Sequence, residues 1–393
     1  MSAKTILVIP LILFLIISFS LGHQNPQWKG KIEYENGIKV IKNPEQPLFG
    51  EIIFDLEEDL SIGSTDDENA TFYNSVHIAV DSEDNIFVLD TENCRIQKFN
   101  DKGDFLYTIG RKGQGPGEFT RPFALILDLN DTIYVNESRK LHVFNKTGEF
   151  IKSIPFDNSY RSIGITKEMN IIAVTQILSP TGLSEDVCLF TPAGNKIKTI
   201  ASFSKPRPDY LSRLGISDST IQHRLHLCPL NFDNAVYSHS SRYRFYVVNS
   251  SGKIGFIFEK EEPPIPITQK EKDKKIDSRL RSAKKSGQQF SRREIENAYN
   301  FPETKPFYYG VLNDDKSNIY VIILRTFLVD PNNKYINFDL FNKDGYYLYR
   351  VQMVHPPDII KNGYLYNDRM DENGYIYIKR YKIKNWDQIK EKI

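Results

Sequence analysis

The 393-residue sequence is poor in cysteine, tryptophan and methionine, with three, two and four of them, and it has no excess of either charge: 51 Lys and Arg stand against 50 Asp and Glu. Three thiols are too few for a disulfide-stapled small fold or a four-cysteine zinc site. Without a cationic excess, nucleic acid is excluded as the main partner, because phosphate binding needs a concentrated positive surface. After residue 22 no apolar run is long enough to span a bilayer. The apolar content, 40%, is nevertheless enough for a substantial core. Length alone admits two or three average domains or one large all-β domain.

Residues 1–22 read as an address. Lys4 precedes an apolar run from Ile6 to Phe19, interrupted by Pro10, and Ser20-Leu21-Gly22 follows. A basic start, a short apolar run and small residues at −3 and −1 describe a secretory signal peptide cleaved after Gly22. No cysteine follows, so no lipoprotein anchor is expected. The mature chain, residues 23–393, is expected to be secreted or periplasmic; the competing expectation keeps the segment as an uncleaved anchor. Cys94, Cys188 and Cys228 are expected as buried small hydrophobes.

An internal repeat dominates the rest. Asp81-Ser-Glu-Asp84-Asn85-Ile86-Phe87-Val88 sets a template of acid, two variable residues, a turn residue and an aliphatic-aromatic strand. Copies start at Asp128, Thr166, Asn231, Asp314 and Asp371. After the first five comes a strand, a four-residue turn ending in glycine, and another strand: Arg95 to Ile109 with Gly103, Lys140 to Ile154 with Gly148, Asp186 to Ile200 with Gly194, Arg244 to Phe258 with Gly252, and Asn337 to Val351 with Gly345. Period-2 alternation and β-branched or aromatic residues make these strands, and the fixed glycine provides the positive φ of a tight hairpin. The sixth copy lacks its hairpin. Its partner is expected at the other end of the chain, where Ile32 to Ile41 forms an Asn36-Gly37 hairpin and 51–60 is another strand-like run. An N-terminal strand that completes the last sheet would close a ring and remove its exposed edges. The fold expected is an all-β, six-bladed β-propeller with N-terminal strand closure.

Ile78-Ala-Val-Asp81 through Asn93-Cys94-Arg95-Ile-Gln-Lys-Phe99 resembles an NHL repeat, and Ile109-Gly-Arg-Lys-Gly-Gln-Gly-Pro-Gly-Glu-Phe119 is similar to the linker between such repeats. The resemblance is specific over 77–156; beyond that only the strand skeleton persists. More broadly, the chain is similar to secreted bacterial six-bladed propellers of the NHL and TolB-like group. Where that family often has His before Arg-Ile, this chain has Cys94.

Two stretches lengthen the repeat spacing, Lys205–Leu227 and 259–305. From Thr268 to Glu296 the second holds ten Lys or Arg against five acids, with Ile276, Leu280 and Ala283 at helical spacing. It predicts a charged helical insertion between blades four and five: a solvated amphipathic helix laid over one face, or a docking element for an acidic partner or lipid headgroups. The glycine-rich 110–117 lacks a Walker ending and opens no helix, so it is expected as a connector.

Position nine of each copy holds Asp90, Glu137, Thr175, Ser240, Ile323 and Arg380, with Asn93, Arg95, Arg139, Arg242 and Arg325 close by. Corresponding positions in a propeller gather at one face, so Asp90, Asn93, Arg95, Glu137, Arg139, Arg242, Arg325 and Arg380 are candidates for a ligand funnel suited to carboxylate or phosphate. The alternative is turn chemistry, Asp90 and Asn93 holding their own loop. His223, His226 and Cys228 are the candidate metal ligands, an imidazole pair and a thiolate suited to zinc, while His77, His142, His239 and His355 read as structural. The function expected is a non-catalytic binding module for a protein, peptide or glycan, with no cofactor. The alternative is a metal-dependent lyase or lactonase with a divalent metal in the channel and Asp90 and Glu137 as first ligands. A third reading is a structural surface protein that self-associates through the basic insertion.

Overall fold

A computed structural model describes residues 27–73, 75–137, 139–179, 182–206, 222–230, 233–299, 301–323 and 335–390. The signal segment, the repeat start Asn231 and the middle of the 205–227 stretch lie outside these residues. Six sheets stand around one axis. Blade one is Val76–Val80, Ile86–Asp90, Arg95–Phe99 and Phe105–Ile109; blade two is Ala124–Leu127, Ile133–Glu137, Lys140–Phe144 and Phe150–Pro155. Blade three is Ser159–Ile165, Ile171–Ser179, Gly182–Phe190 and Lys196–Pro206; blade four is Leu225–Leu230, Asn234–His239, Arg244–Asn249 and Ile254–Lys260. Blade five is Tyr308–Asn313, Ile319–Ile323, Ile336–Phe341 and Tyr347–Met353. The expected six-bladed propeller is therefore present.

The repeat's acid does local work. The Oδ1 atoms of Asp81, Asp128 and Asp314 each accept amide hydrogens two and four residues on, which closes the turn between first and second strands. The turn residue, Asp84, Asp131 or Ser317, takes a positive φ of 62°, 59° or 66°. An Asx turn that tolerates left-handed backbone is why this short motif recurs.

The sixth copy is out of phase with the others. Blade six consists of Ile359–Lys361, Tyr364–Met370, Tyr375–Ile383 and Leu56–Ile62, so Asp371–Gly374 joins its second and third strands. Its first-to-second turn is Asn362-Gly363, whose Asn362 meets Asp315 and Asp84, from the equivalent turns of blades five and one. Asp371 closes its turn with the same two amide bonds as the true repeat acids, so local sequence could not reveal the shift.

An N-terminal strand completes the last blade, as expected, and it is Leu56–Ile62, antiparallel to Tyr375–Ile383. The upstream hairpin, Lys31–Glu35 and Ile38–Asn43, instead lies on the outer edge of blade four, with Ile38–Asn43 parallel to Ile254–Lys260. Glu51–Ile53 runs parallel to Tyr347–Met353 in blade five. The segment thus passes outside blades four, five and six in turn. Asn43 pins it: its Nδ2 donates to Gly345 O (2.8 Å) and its Oδ1 accepts from Tyr347 N (2.9 Å).

The cores lie between blades. Ile62, Phe72, Ile376 and Ile378 of blade six pack with Ile86, Val88 and Phe99 of blade one. First strands of neighbouring blades approach each other around the axis. We call the upper end the one at which first strands begin and second strands finish. The insertion leaves blade four after Lys260 and returns at Tyr308, so it stands at this upper end. It folds as α1 (Gln269–Lys285) and α2 (Arg292–Tyr299), a minor helical element in a molecule of strands. These helices pack on each other around Ile276, Ile295 and Tyr299. Among the described residues no helix is long and apolar enough to cross a membrane.

Closure predicts a sharp contrast between two isoleucines. Ile62 is buried at the seam, so Ile62→Ala should cost about 2–5 kcal/mol in urea unfolding. Ile32, 43% exposed, should cost under about 0.5 kcal/mol. Equal effects would refute a stability-bearing seam.

Candidate functional site

The polar slot lies toward the upper end in blades one to four, at or just past the finish of the second strand in blades one, two and four and midway along the longer Ile171–Ser179 in blade three. Asp90 is fully buried and accepts Asn93 Nδ2 (2.8 Å) and Arg95 Nε (3.2 Å). Arg95 passes on to the carbonyls of Glu68 and Thr71. Glu137 accepts the amides of Thr120 and Arg121, the Thr120 hydroxyl (2.6 Å) and His142 Nε2 (2.9 Å), which clamps the glycine-rich connector to blade two. Arg139 donates to Asp157 O. The Asp90–Asn93 bonds are those of the turn alternative, in which the two residues hold their own loop.

Arg380 is elsewhere. Because the sixth copy is shifted by one strand, Arg380 sits toward the opposite end, bound to Asp59 (3.0 Å) and to the carbonyl of Asp101 (2.8 Å). Arg325 lies outside the described residues.

The proposed metal ligands are not assembled. The segment is a strand, Leu225–Leu230, and residues three apart share a face only on a helix. His223 Nε2 donates to Thr304 O (3.0 Å), and the His226 ring lies 5.3 Å from that of Tyr308. Burial, then Arg161 and Arg224, pushes His226 down to about 4, so it is neutral at physiological pH. Burial pushes the Cys228 thiol up to about 12, and it donates to Asn313 Oδ1 (3.4 Å). Cys94, Cys188 and Cys228 are all buried and unbridged. Among the described residues no three His, Cys, Asp or Glu side chains converge as a metal would require.

Of the expected site residues, Arg242 is the one that borders a described cavity. The cavity is an open depression of about 340 Å³ lined by Arg242, Tyr243, Arg244, Glu259 to Glu262, Lys42, Ser241 and Phe307 at the upper rim of blade four. Its floor is a buried charge network. Asp339 accepts Tyr243 Oη (2.7 Å), Tyr347 Oη (2.5 Å), Arg350 Nε (3.1 Å) and the ammonium of Lys260, which also meets Glu262 (3.1 Å). Lys260 lies over the rings of Tyr243 and Tyr347, at 4.7 and 4.9 Å. Burial alone would raise the Asp339 pKa, but the Lys260 and Arg350 charges outweigh it and hold it below the ordinary value. Burial, then the Asp339 charge, pushes both phenols up. Lys42 is held by Glu33, and Arg244 by Glu35 and Glu259. The Arg242 guanidinium is exposed, with no acid partner among the described residues.

A second group at the upper end was only partly legible in the sequence, which singled out His226 as a metal ligand and read His77 as structural. The first strands open with His77, Arg161 and His226, and Asp358 precedes that of blade six. Arg161 bonds Glu185 Oε1 (2.8 Å), and its Nε is buried without a partner. Asp358 is reached by water yet surrounded by protein on most sides; this enclosure, then the Asp368 carboxylate, pushes its pKa up to about 6. The signal was weak because first strands fall outside the repeat template.

Glu137 generates a pH prediction. Burial raises its pKa, but the Thr120 hydroxyl, the Arg121 amide and His142 outweigh this and bring it down to about 2. A carboxylate depressed in the folded state adds stability above its unfolded pKa and loses it as pH falls toward the folded value. Glu137→Gln should therefore cost about 1.5–3 kcal/mol at neutral pH. The gap should close between about 4.5 and about 2; a gap constant across this range would overturn the assignment.

A family model described as a six-bladed β-propeller, DUF5128, matches residues 64–349. No curated protein matches the sequence. Among solved structures the chain is similar to a putative exported protein from Bacteroides fragilis, at 14% identity and a TM-score of 0.50 over 88% of this chain and 99% of that one. It is also similar to a DUF4221 member from Bacteroides vulgatus, at 12% identity and a TM-score of 0.51 over 84% and 98%. At such identities the likeness is one of fold. The family match spans most of the chain, from just before blade one into the last strand of blade five, and the chain belongs to the DUF5128 family of six-bladed β-propellers.

Proposed function

We propose that the chain is an exported, NHL- or TolB-like propeller that acts as a binding module for a protein, peptide or glycan at its upper end. The observation that carries this reading is the open pocket at the rim of blade four, where a buried charge network lies beside an exposed Arg242 with no acid partner among the described residues. Preorganised walls with a few polar groups are what a ligand pocket needs, and a free guanidinium suits a carboxylate or phosphate on the ligand. Tyr243 and Phe307 add aromatic surface. Export rests on the N-terminal address.

A glycan and peptide array probed with the chain from His23 tests this reading. Arg242→Glu should abolish the captured ligand's binding while the melting temperature stays within about 2 °C. Absence of any bound ligand, or binding indifferent to Arg242→Glu, would sink it.

A second reading, an enzyme working in the channel, has its own support in Asp358, a carboxyl near neutral pKa beside Asp368. Turnover lost with Asp358→Asn and kept with Arg242→Glu would favour it. The metal-dependent form is addressed by a melt in EDTA, expected to be unchanged. A reversible fall, restored by calcium or zinc, would revive that form.

A further inference from the structure

The helical insertion carries charge that the fold does not use. From Thr268 to Glu296, four of its five acids are consumed internally, and the fifth, Glu296, lies on α2. Glu271 closes the α1 capping box with Thr268 and also holds Lys305; Asp277 holds Arg292 (2.7 Å), which Asp273 also binds; Glu294 caps α2 through Ser291 (2.7 and 2.8 Å). The basic residues are not matched in the same way. Ile276 and Ala283 are buried and Leu280 packs beside them, which fixes the roll of α1. At 3.6 residues per turn, Lys270, Lys274, Arg281 and Lys285 then fall on the opposite side. All four are exposed, and no acid pairs with any of them among the described residues. Like charges at i,i+4, as in Lys270 with Lys274 and Arg281 with Lys285, mildly oppose the helix. Lys285, in the last turn, gains from the helix dipole, but the hairpin's own stability gives no reason for the other three.

The stripe is narrow and long. Along the axis its cations are spaced by about 6, 10 and 6 Å, about 22 Å in all. Ser278, also exposed, lies within it. No apolar or aromatic side chain accompanies it, so it has nothing to insert into a bilayer and no hydrophobic anchor for a folded protein partner. A row of point charges interrupted by a hydroxyl matches an extended chain that carries repeated carboxylates and hydroxyls.

We propose that Lys270, Lys274, Arg281 and Lys285 form a docking stripe for an extended carboxylated glycan. It is separate from the Arg242 cavity and stands or falls independently of it.

The test uses the chain from His23, with polygalacturonate as the probe and titration calorimetry at low and physiological salt. The parent should bind, with affinity falling as salt rises, and the quadruple Lys270→Gln, Lys274→Gln, Arg281→Gln, Lys285→Gln variant should bind about tenfold more weakly or worse at an unchanged melting temperature. Arg242→Glu should bind as the parent does, which separates this stripe from the cavity. Poly-glutamate, duplex DNA and phosphatidylglycerol vesicles are run beside it. No binding of polygalacturonate at low salt, undiminished binding by the quadruple variant, or equal or tighter binding of any of the three comparison anions would overturn the proposal.

Discussion

The pairing of Leu56–Ile62 with Tyr375–Ile383 is the constraint on which the ring depends. Without it, blade six would end on an open strand edge and the seam between blades six and one would lose Ile62. The same segment runs outside blades four and five before it reaches blade six, so closure is a strap over half the ring as well as one strand. Asn43 couples that strap to blade five through two buried hydrogen bonds, at a point where a buried amide needs a partner for each polar group.

Blades four and five are joined by the most heavily charged part of the interior. Lys260 and Asp339 are both fully buried, a costly arrangement unless every charge is met. Here the aspartate has four donors, and the lysine has two carboxylates and two ring faces. A network so completely satisfied behaves as a rigid floor. That rigidity separates it in role from Arg242 directly above, whose guanidinium has kept its hydrogen-bonding capacity.

Polar residues at the upper end therefore divide by satisfaction rather than by position. Asp90 and Glu137 occupy equivalent places in blades one and two; Asp90 is spent on its own loop and Glu137 on the connector that enters blade two. His77, Arg161 and His226 lie near the starts of first strands and Asp358 just before one, and their partners come from other strands, as Glu185 does for Arg161. The insertion and the connection between Pro206 and Leu225 also leave from this end, which concentrates variation there while the hairpins at the opposite end repeat closely.

The sequence by itself determined the blade count, the strand skeleton and the need for closure, because Asx turns and glycine hairpins are local chemistry written within four or five residues. The aliphatic-aromatic runs after those turns likewise showed that Ile86–Asp90 and Ile133–Glu137 are strands. Only the tertiary structure decided the phase of the sixth repeat, since Asp371 makes the same local turn in a different place in the sheet. It also decided that Leu56–Ile62, rather than the Asn36-Gly37 hairpin, closes the ring, because strand pairing is a long-range choice. The site depended on tertiary structure for the same reason: whether a polar group is spent or available rests on donors and acceptors brought from distant residues, as Lys260 and Arg350 are brought to Asp339 while, among the described residues, no acid is brought to Arg242.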